Sequence, residues 1–187
     1  MRRVIGLVLF LCALCVAGEY TVKEIDCALY NDVWETTQDA TITINVDTEL
    51  KVLAMYLPDF GGRSVLILMG DSVAQRIVAA ADKYVEWRTK AINMGNVEVN
   101  KPIATLNIFG AVKQFDDSWE GGLLDLTLVF FTASSEYFFV MQGGDEGEPC
   151  ILSMSNVMDL KKALSPASIA LLLKQADQKQ NIEDEFN

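Results

Sequence analysis

Histidine is missing from this sequence of 187 residues, and basic residues are few: 15 Lys and Arg stand against 26 Asp and Glu. Without an imidazole, the chain cannot form a Ser-His-Asp triad, a Cys-His pair or a zinc site with a histidine ligand. The net charge of −11 argues against a protein that covers nucleic-acid phosphates or an anionic membrane surface, because both need clustered Lys and Arg. We therefore expect no nucleic-acid partner.

Motifs for nucleotides, activated nucleophiles and metals are lacking as well. The glycine pairs Gly61-Gly62 and Gly143-Gly144 lie outside any G-x-G-x-x-G or P-loop pattern, so they predict turns rather than phosphate sites. No Gly-x-Ser-x-Gly elbow, S-x-x-K dyad or calcium-loop spacing occurs. We expect no cofactor and no metal ligand, and the absence of these motifs argues against an enzyme.

The N-terminus has the pattern of a secretory signal peptide. Two arginines precede an apolar run of about 13 residues over 4–16, and small residues follow at Ala17 and Gly18. The run is shorter than the roughly 20 apolar residues that span a bilayer, although an uncleaved anchor is an alternative. We predict cleavage after Ala17 or Gly18, which removes residues 1–17 or 1–18.

Export follows from that pattern. The mature chain loses two arginines and no acid, so its net charge goes from −11 to −13. No Asn-x-Ser/Thr sequon occurs, which is more typical of a bacterial envelope protein than of a eukaryotic secreted one. We expect a periplasmic or extracellular bacterial protein that has no integral membrane segment after signal removal and whose partner is another envelope protein.

Two cysteines remain after the predicted signal peptide, Cys27 and Cys150. An even count in an exported chain favours a disulfide, and two cysteines allow a single pairing. The bridge would close a loop of more than 120 residues and would stabilise the fold by about 4–5 kcal/mol in the chain-entropy model. It requires the N-terminal segment to lie beside the last strand, and two buried free thiols are the alternative.

Hydrophobic periodicity divides the rest of the chain into a polar lead-in over 19–40, one domain over 41–178 and an acidic tail over 179–187. Within the domain, residues 41–46 alternate between apolar and polar side chains, as a half-buried strand does. Strand patterns of this kind recur up to residue 154, and they dominate the domain.

Two helical segments, 71–94 and 156–178, each follow a strand. This order predicts an α+β fold, with a mostly antiparallel sheet, one long amphipathic helix over 71–94 and C-terminal helices over 156–178 packed on one face. A faint similarity between 65–71 and 150–156 suggests a duplicated βββα unit, with chance similarity as the alternative.

The predicted helices have candidate ends. Asp71 or Ser72 is expected to cap the first helix, and Gly95 suits its C-terminal end. Asn156 is expected to cap the next helix. Ser165 is expected to cap the last, with proline at its first position.

Two acidic loops offer the carboxylates that a hydrolase needs when histidine is absent. A pair about 5–10 Å apart across a sugar could cleave a glycosidic bond. The alternative is that acidic loop residues in an acidic chain are simply solvated. The candidates are Asp116, Asp117, Glu120, Asp145, Glu146 and Glu148.

Aromatic residues in glycine-containing loops form a candidate contact surface. Phe60 and Trp119 combine contact area with an adaptable backbone, although both could instead cover the end of the core. A pocket for a small apolar ligand between the sheet and the helix that carries Tyr84 and Trp87 is a further hypothesis. The sequence favours an exported, non-catalytic binding or accessory domain, with a hydrolase and an apolar-ligand carrier as alternatives.

Overall fold

The computed structural model describes residues 19–31, 35–47, 52–60, 64–114, 116, 118–144 and 147–186. Within them, eight antiparallel strands form a closed barrel, accompanied by three helices. The strands are β1 (Glu19–Asn31), β2 (Thr36–Asp47), β3 (Val52–Pro58), β4 (Ser64–Met69), β5 (Lys101–Lys113), β6 (Trp119–Ala133), β7 (Glu136–Gly143) and β8 (Cys150–Leu152). The helices are α1 (Asp71–Asn93), α2 (Met154–Ala163) and α3 (Pro166–Phe186).

Each strand pairs with the strand before it in the chain, and β1 pairs with β8 to close the barrel. The closing seam is short. Its described pairs are Ala28 with Ile151 and Leu29 with Cys150, and the N–H of the next residue, Tyr30, donates to the backbone oxygen of a β7–β8 loop residue at 3.2 Å. Closure satisfies the backbone groups that an open sheet would leave at its two edges.

Side chains fill the barrel interior. In β2, Ile42, Ile44 and Val46 are fully buried and alternate with more exposed residues. The largest of the buried side chains include Phe130 and Phe139, which are at most 1% exposed. An eight-stranded barrel has an interior just wide enough for its own side chains. The interior is therefore the hydrophobic core of this protein.

Helix α1 packs against that core through one apolar face. Tyr84 is fully buried, and its ring centroid lies 5.7 Å from those of Phe130 and Phe139. The Tyr84 hydroxyl donates a 2.8 Å hydrogen bond to the backbone oxygen of Tyr137, so the helix is tied to β7. The buried residues of α1 are Ala74, Ile77, Ala80, Ala81, Tyr84 and Ala91.

The ends of α1 agree only in part with those predicted from the sequence. Its N-cap is Gly70, which makes no side-chain capping bond, so the prediction of Asp71 or Ser72 as the cap is wrong. Asp71 is instead the first helical residue, where its carboxylate interacts favourably with the helix dipole. Gly95 follows the helix with a φ of +92°, the left-handed conformation that a glycine adopts without a Cβ penalty.

Serines cap the N-terminal ends of helices α2 and α3. The Ser153 hydroxyl caps α2 and accepts a bond from the N–H of Asn156 at 3.4 Å, so the prediction of Asn156 as the cap is wrong. Ser165 accepts from the N–H of Ser168 at 3.2 Å, and Pro166 is the first residue of α3, as predicted.

The predicted α+β fold, with helices packed on one face of an open sheet, is wrong because the sheet closes on itself. Period-two patterns indicate which side of a strand is buried, but an open sheet covered by helices and a closed barrel produce the same pattern. The suggested βββα unit is wrong as well, since four strands, not three, precede α1 and four further strands lie between α1 and α2. Pairing between β1 and β8, which lie at opposite ends of the chain, decides the architecture.

The segment predicted as a polar lead-in supplies β1 and the first residues of β2, and α3 extends to Phe186. None of the described helices has an apolar stretch long enough to cross a membrane. The predicted signal peptide, residues 1–18, lies outside the described residues.

Candidate functional site

Four adjacent strands carry a continuous apolar row on the outer face of the barrel. Val129 of β6 pairs with Val140 of β7, Val140 pairs with Ile151 of β8, and Ile151 pairs with Ala28 of β1. Directly paired residues point to the same side of a sheet, and successive residues in a strand point to opposite sides. Phe130, which follows Val129, belongs to the core, so the row faces outward.

This row lies in an apolar groove of about 790 Å³, which we call the outer groove. Phe131 and Phe138, paired across β6 and β7, extend it in one direction. Tyr30 and Thr37, paired across β1 and β2, extend it in the other. The described lining residues are Ala28, Tyr30, Thr37, Asn100, Val129, Phe131, Ala133, Phe138, Val140, Pro149 and Ile151.

The described lining of the outer groove contains no charged side chain. Its polar side chains are the phenol of Tyr30, the hydroxyl of Thr37 and the amide of Asn100, each of which can both donate and accept a hydrogen bond. Val140 is only 9% exposed although it points outward, which shows how far the groove shields its floor. Ligand pockets have volumes of about 300–1,000 Å³ and a similar mixture of apolar walls and a few polar groups.

The groove arises because β6 and β7 are apolar on both faces. An antiparallel strand with one solvated face normally alternates between apolar and polar residues. Sequence analysis recognised that strand patterns recur in this part of the chain but missed that Val129 and Phe131 form a second apolar face. The uninterrupted apolar runs at 128–131 and 137–141 are the signal that could have identified it.

The predicted contact residues lie outside the lining of the outer groove, and they pack on different clusters. Phe60 is half-buried and packs against the main core. Trp119 is half-buried, and its ring meets that of Tyr56 edge to face with centroids 6.0 Å apart. Trp119 and Tyr56 pack on a separate small cluster of Ala54, Leu66 and Ala111. Partner binding through Phe60 and Trp119 stays a prediction.

The space between α1 and β6, where the carrier hypothesis places its pocket, is occupied by aromatic rings. Tyr84 is fully buried, and the Trp87 ring meets Phe130 with centroids 6.0 Å apart. The ammonium groups of Lys83 and Lys101 lie 4.9 and 5.2 Å from the Trp87 ring centroid. The outer groove lies on the opposite face of β6.

The prediction that all six candidate acids lie in loops is wrong for Glu120, which is the second residue of β6 and pairs with Val112. Asp116 accepts hydrogen bonds from the hydroxyl and the backbone N–H of Ser118. Both bonds lower the pKa of the Asp116 carboxyl, and the bond from the hydroxyl has the larger effect. A carboxyl held in the ionised form is poorly suited to act as a general acid. Glu120 is exposed and Glu148 is half-buried. Among the described residues, no group of three acidic or cysteine side chains is placed to hold a metal. The other candidates, Asp117, Asp145 and Glu146, lie outside the described residues.

Cys27 and Cys150 lie on the two strands of the closing seam as buried free thiols. Cys150 is paired with Leu29, which lies two residues after Cys27 on the same face, so the cysteines are diagonal neighbours. The hydrogen bond between them lowers the pKa of Cys27. The same bond, together with burial, raises the pKa of Cys150. The disulfide stays a prediction.

No protein-family model, curated protein or solved structure matches this chain. The function is therefore inferred from the chemistry of the outer groove and its surroundings.

Proposed function

We propose that this protein is a non-catalytic binding domain that holds a small apolar ligand in the outer groove. The observation that carries the proposal is the groove itself: about 790 Å³ lined by apolar side chains from adjacent paired strands. On a barrel whose core is already filled, such an outward apolar surface is unusual unless something covers it.

The physical basis of binding is burial of apolar surface. Each 100 Å² of apolar ligand surface removed from water contributes about 2.5 kcal/mol, before the cost of association. The hydrogen-bonded ladders hold Val129, Val140, Ile151 and Ala28 in fixed positions, so the groove needs little ordering when a ligand enters.

We propose that the domain does this after export to the periplasm or the cell exterior. The N-terminal pattern of arginines, apolar run and small residues supports this location, and an envelope protein would deliver or receive the ligand. The net charge of −11 argues against a nucleic-acid partner. Intact-mass measurement of the exported protein tests the location, and a mass that includes residues 1–16 would contradict it.

Titration with N-phenyl-1-naphthylamine, an uncharged apolar dye that fluoresces when shielded from water, tests the binding site. We expect a saturable rise in fluorescence that unlabelled dodecanol reverses. Replacing Phe131 or Phe138 by Ala should weaken dye binding about fivefold, since each half-buried ring supplies on the order of 1 kcal/mol of contact.

Phe109→Ala is the matched control. Phe109 lies on β5 outside the groove and is 50% exposed, so its removal deletes the same ring from another part of the barrel surface. Dye binding by this variant should stay within about twofold of the parent. Absence of saturable binding, or equal weakening by Phe109→Ala, would contradict the proposed function.

A further inference from the structure

The margin of the outer groove is acidic. Asp39 of β2 pairs directly with the lining residue Ala28, and Glu136 of β7 pairs directly with the lining residue Ala133. Paired residues share a face, so both carboxylates belong to the outer face that carries the groove. Both side chains are exposed. Asp26, two residues before Ala28 on the same strand, adds a third exposed carboxylate to this face.

Two described cations lie beside lining residues of the groove, Lys101 next to Asn100 and Arg88 in a hollow that Phe138 also lines. Lys101 follows the lining residue Asn100 in sequence, but its ammonium lies 5.2 Å from the centroid of the Trp87 ring, on the α1 side of β6. Arg88 lines an adjoining hollow of about 400 Å³ that shares Phe138 with the outer groove, and Glu136 lines that hollow too, so the charge of Arg88 is offset by Glu136.

We infer that the outer groove takes apolar ligands whose polar end is uncharged or cationic and discriminates against anionic amphiphiles such as fatty-acid carboxylates. The inference rests on the proposed function. A carboxylate head would approach Asp39 and Asp26, and like charges near a low-dielectric wall repel.

An uncharged or cationic head meets no such penalty. The hydroxyls of Tyr30 and Thr37 and the amide of Asn100 can pair with a neutral hydroxyl or carbonyl group. A cationic head is attracted by the same carboxylates that repel an anion. The charge selectivity therefore comes from the margin, while the apolar lining supplies affinity for the tail.

Displacement of N-phenyl-1-naphthylamine by three ligands with one common dodecyl tail tests this inference. The ligands are dodecanol, used below its aqueous solubility, and dodecyltrimethylammonium and dodecanoate, each used below its critical micelle concentration. At low salt, dodecanoate should bind at least about tenfold more weakly than dodecanol, and dodecyltrimethylammonium at least as tightly. Raising the ionic strength from about 0.01 M to about 1 M should narrow these differences, because it shortens the screening length from roughly 30 Å to roughly 3 Å.

The outcomes separate the inference from the proposed function. Equal displacement by all three ligands would overturn the charge selectivity but leave the apolar site intact. Tighter binding of dodecanoate than of dodecanol would also overturn it. Failure of the dye itself to bind would remove the proposed function, and the inference with it.

Two matched charge-removing variants locate the effect. Asp39→Asn should strengthen dodecanoate binding about threefold and leave dodecanol binding unchanged. Asp125→Asn is the control, because Asp125 is an exposed acid of β6 that lies outside the groove lining and accepts a 3.0 Å hydrogen bond from Asn107. An equal gain in Asp125→Asn would show that overall charge, rather than the groove margin, repels the anion, and would overturn the inference.

Discussion

Gly110 and Gly122 are direct partners in the β5–β6 ladder, yet their surroundings differ. A Cβ at Gly110 would overlap the backbone oxygen of Leu66 on β4 and would lie 2.7 Å from a methyl carbon of Leu124. A Cβ at Gly122 would meet nothing within 4 Å. The absent side chain at Gly110 allows β4 and β5 to approach closely, which barrel closure requires at this point.

Replacing Gly110 by Ala should therefore lower the free energy of unfolding by about 3 kcal/mol, since the overlapped atom belongs to backbone and cannot rotate away. Gly122→Ala is the natural control, and it should change stability by less than about 0.5 kcal/mol. Urea unfolding of both variants measures the difference. Similar losses in the two variants would contradict the close approach of β4 and β5.

The hydrogen bond from the Tyr84 hydroxyl to the backbone oxygen of Tyr137 predicts a second stability effect. Tyr84→Phe leaves that buried oxygen without this donor and should cost about 1–2 kcal/mol. Thr89→Val removes an exposed hydroxyl that bonds to the backbone oxygen of Val85 within α1, and it should cost less than about 0.5 kcal/mol. Equal stabilities for Tyr84→Phe and the parent in urea would show that α1 is not tied to β7 by this bond.

The free energy of unfolding at alkaline pH should depend on the same tyrosine. Burial raises the pKa of the Tyr84 phenol above its ordinary value of about 10, and the nearby Arg88 offsets part of that rise. A group with a raised pKa keeps its proton longer in the folded state, so its stabilising contribution is complete below pH about 10 and is lost as pH rises through the folded-state pKa. The parent should therefore lose stability above pH about 10 more steeply than Tyr84→Phe. Identical slopes for the two proteins in urea unfolding would contradict this.

The cysteine pair gives a redox prediction. Exported protein should contain a Cys27–Cys150 disulfide, and its reduction should lower the free energy of unfolding by about 4 kcal/mol in the chain-entropy model. Diagonal neighbours are about 7–8 Å apart, and a disulfide needs Cα atoms within about 7 Å, so oxidation must draw β1 and β8 slightly together.

Alkylation of the unfolded, unreduced protein followed by mass measurement checks the bond. Incorporation of two alkyl groups would contradict it. Cys27→Ser with Cys150→Ser is the control, because the stability of that double variant should not respond to reductant.

Parts of the structure that depend on neighbouring residues in the chain could be predicted from sequence. The spacing of Ile77, Ala80, Ala81 and Tyr84 defines the buried face of α1, because one helical turn brings residues three and four apart together. The alternation of β2 likewise identifies its inward side. These features require no knowledge of the rest of the chain.

The candidate site could not be predicted in the same way. Sequence analysis found no motif for an activated nucleophile or a metal and offered an apolar-ligand carrier as one alternative, but it placed the pocket beside Tyr84 and Trp87. The outer groove depends on which strand lies next to which, and Ile151 becomes a neighbour of Ala28 only when β8 meets β1. Acidic residues such as Asp39 join its margin through the same pairing.

By itself, the sequence determined the lack of histidine chemistry, the excess of acid, the long amphipathic helix and the inward face of individual strands. Tertiary structure alone decided that the sheet closes, that the interior is filled by its own side chains, and that the second apolar face of β6 and β7 becomes a groove. The reason is that local periodicity records whether a residue is buried or exposed but not which distant strand lies beside it. The pairing of β1 with β8 joins segments more than 100 residues apart, and it is a property of the whole chain.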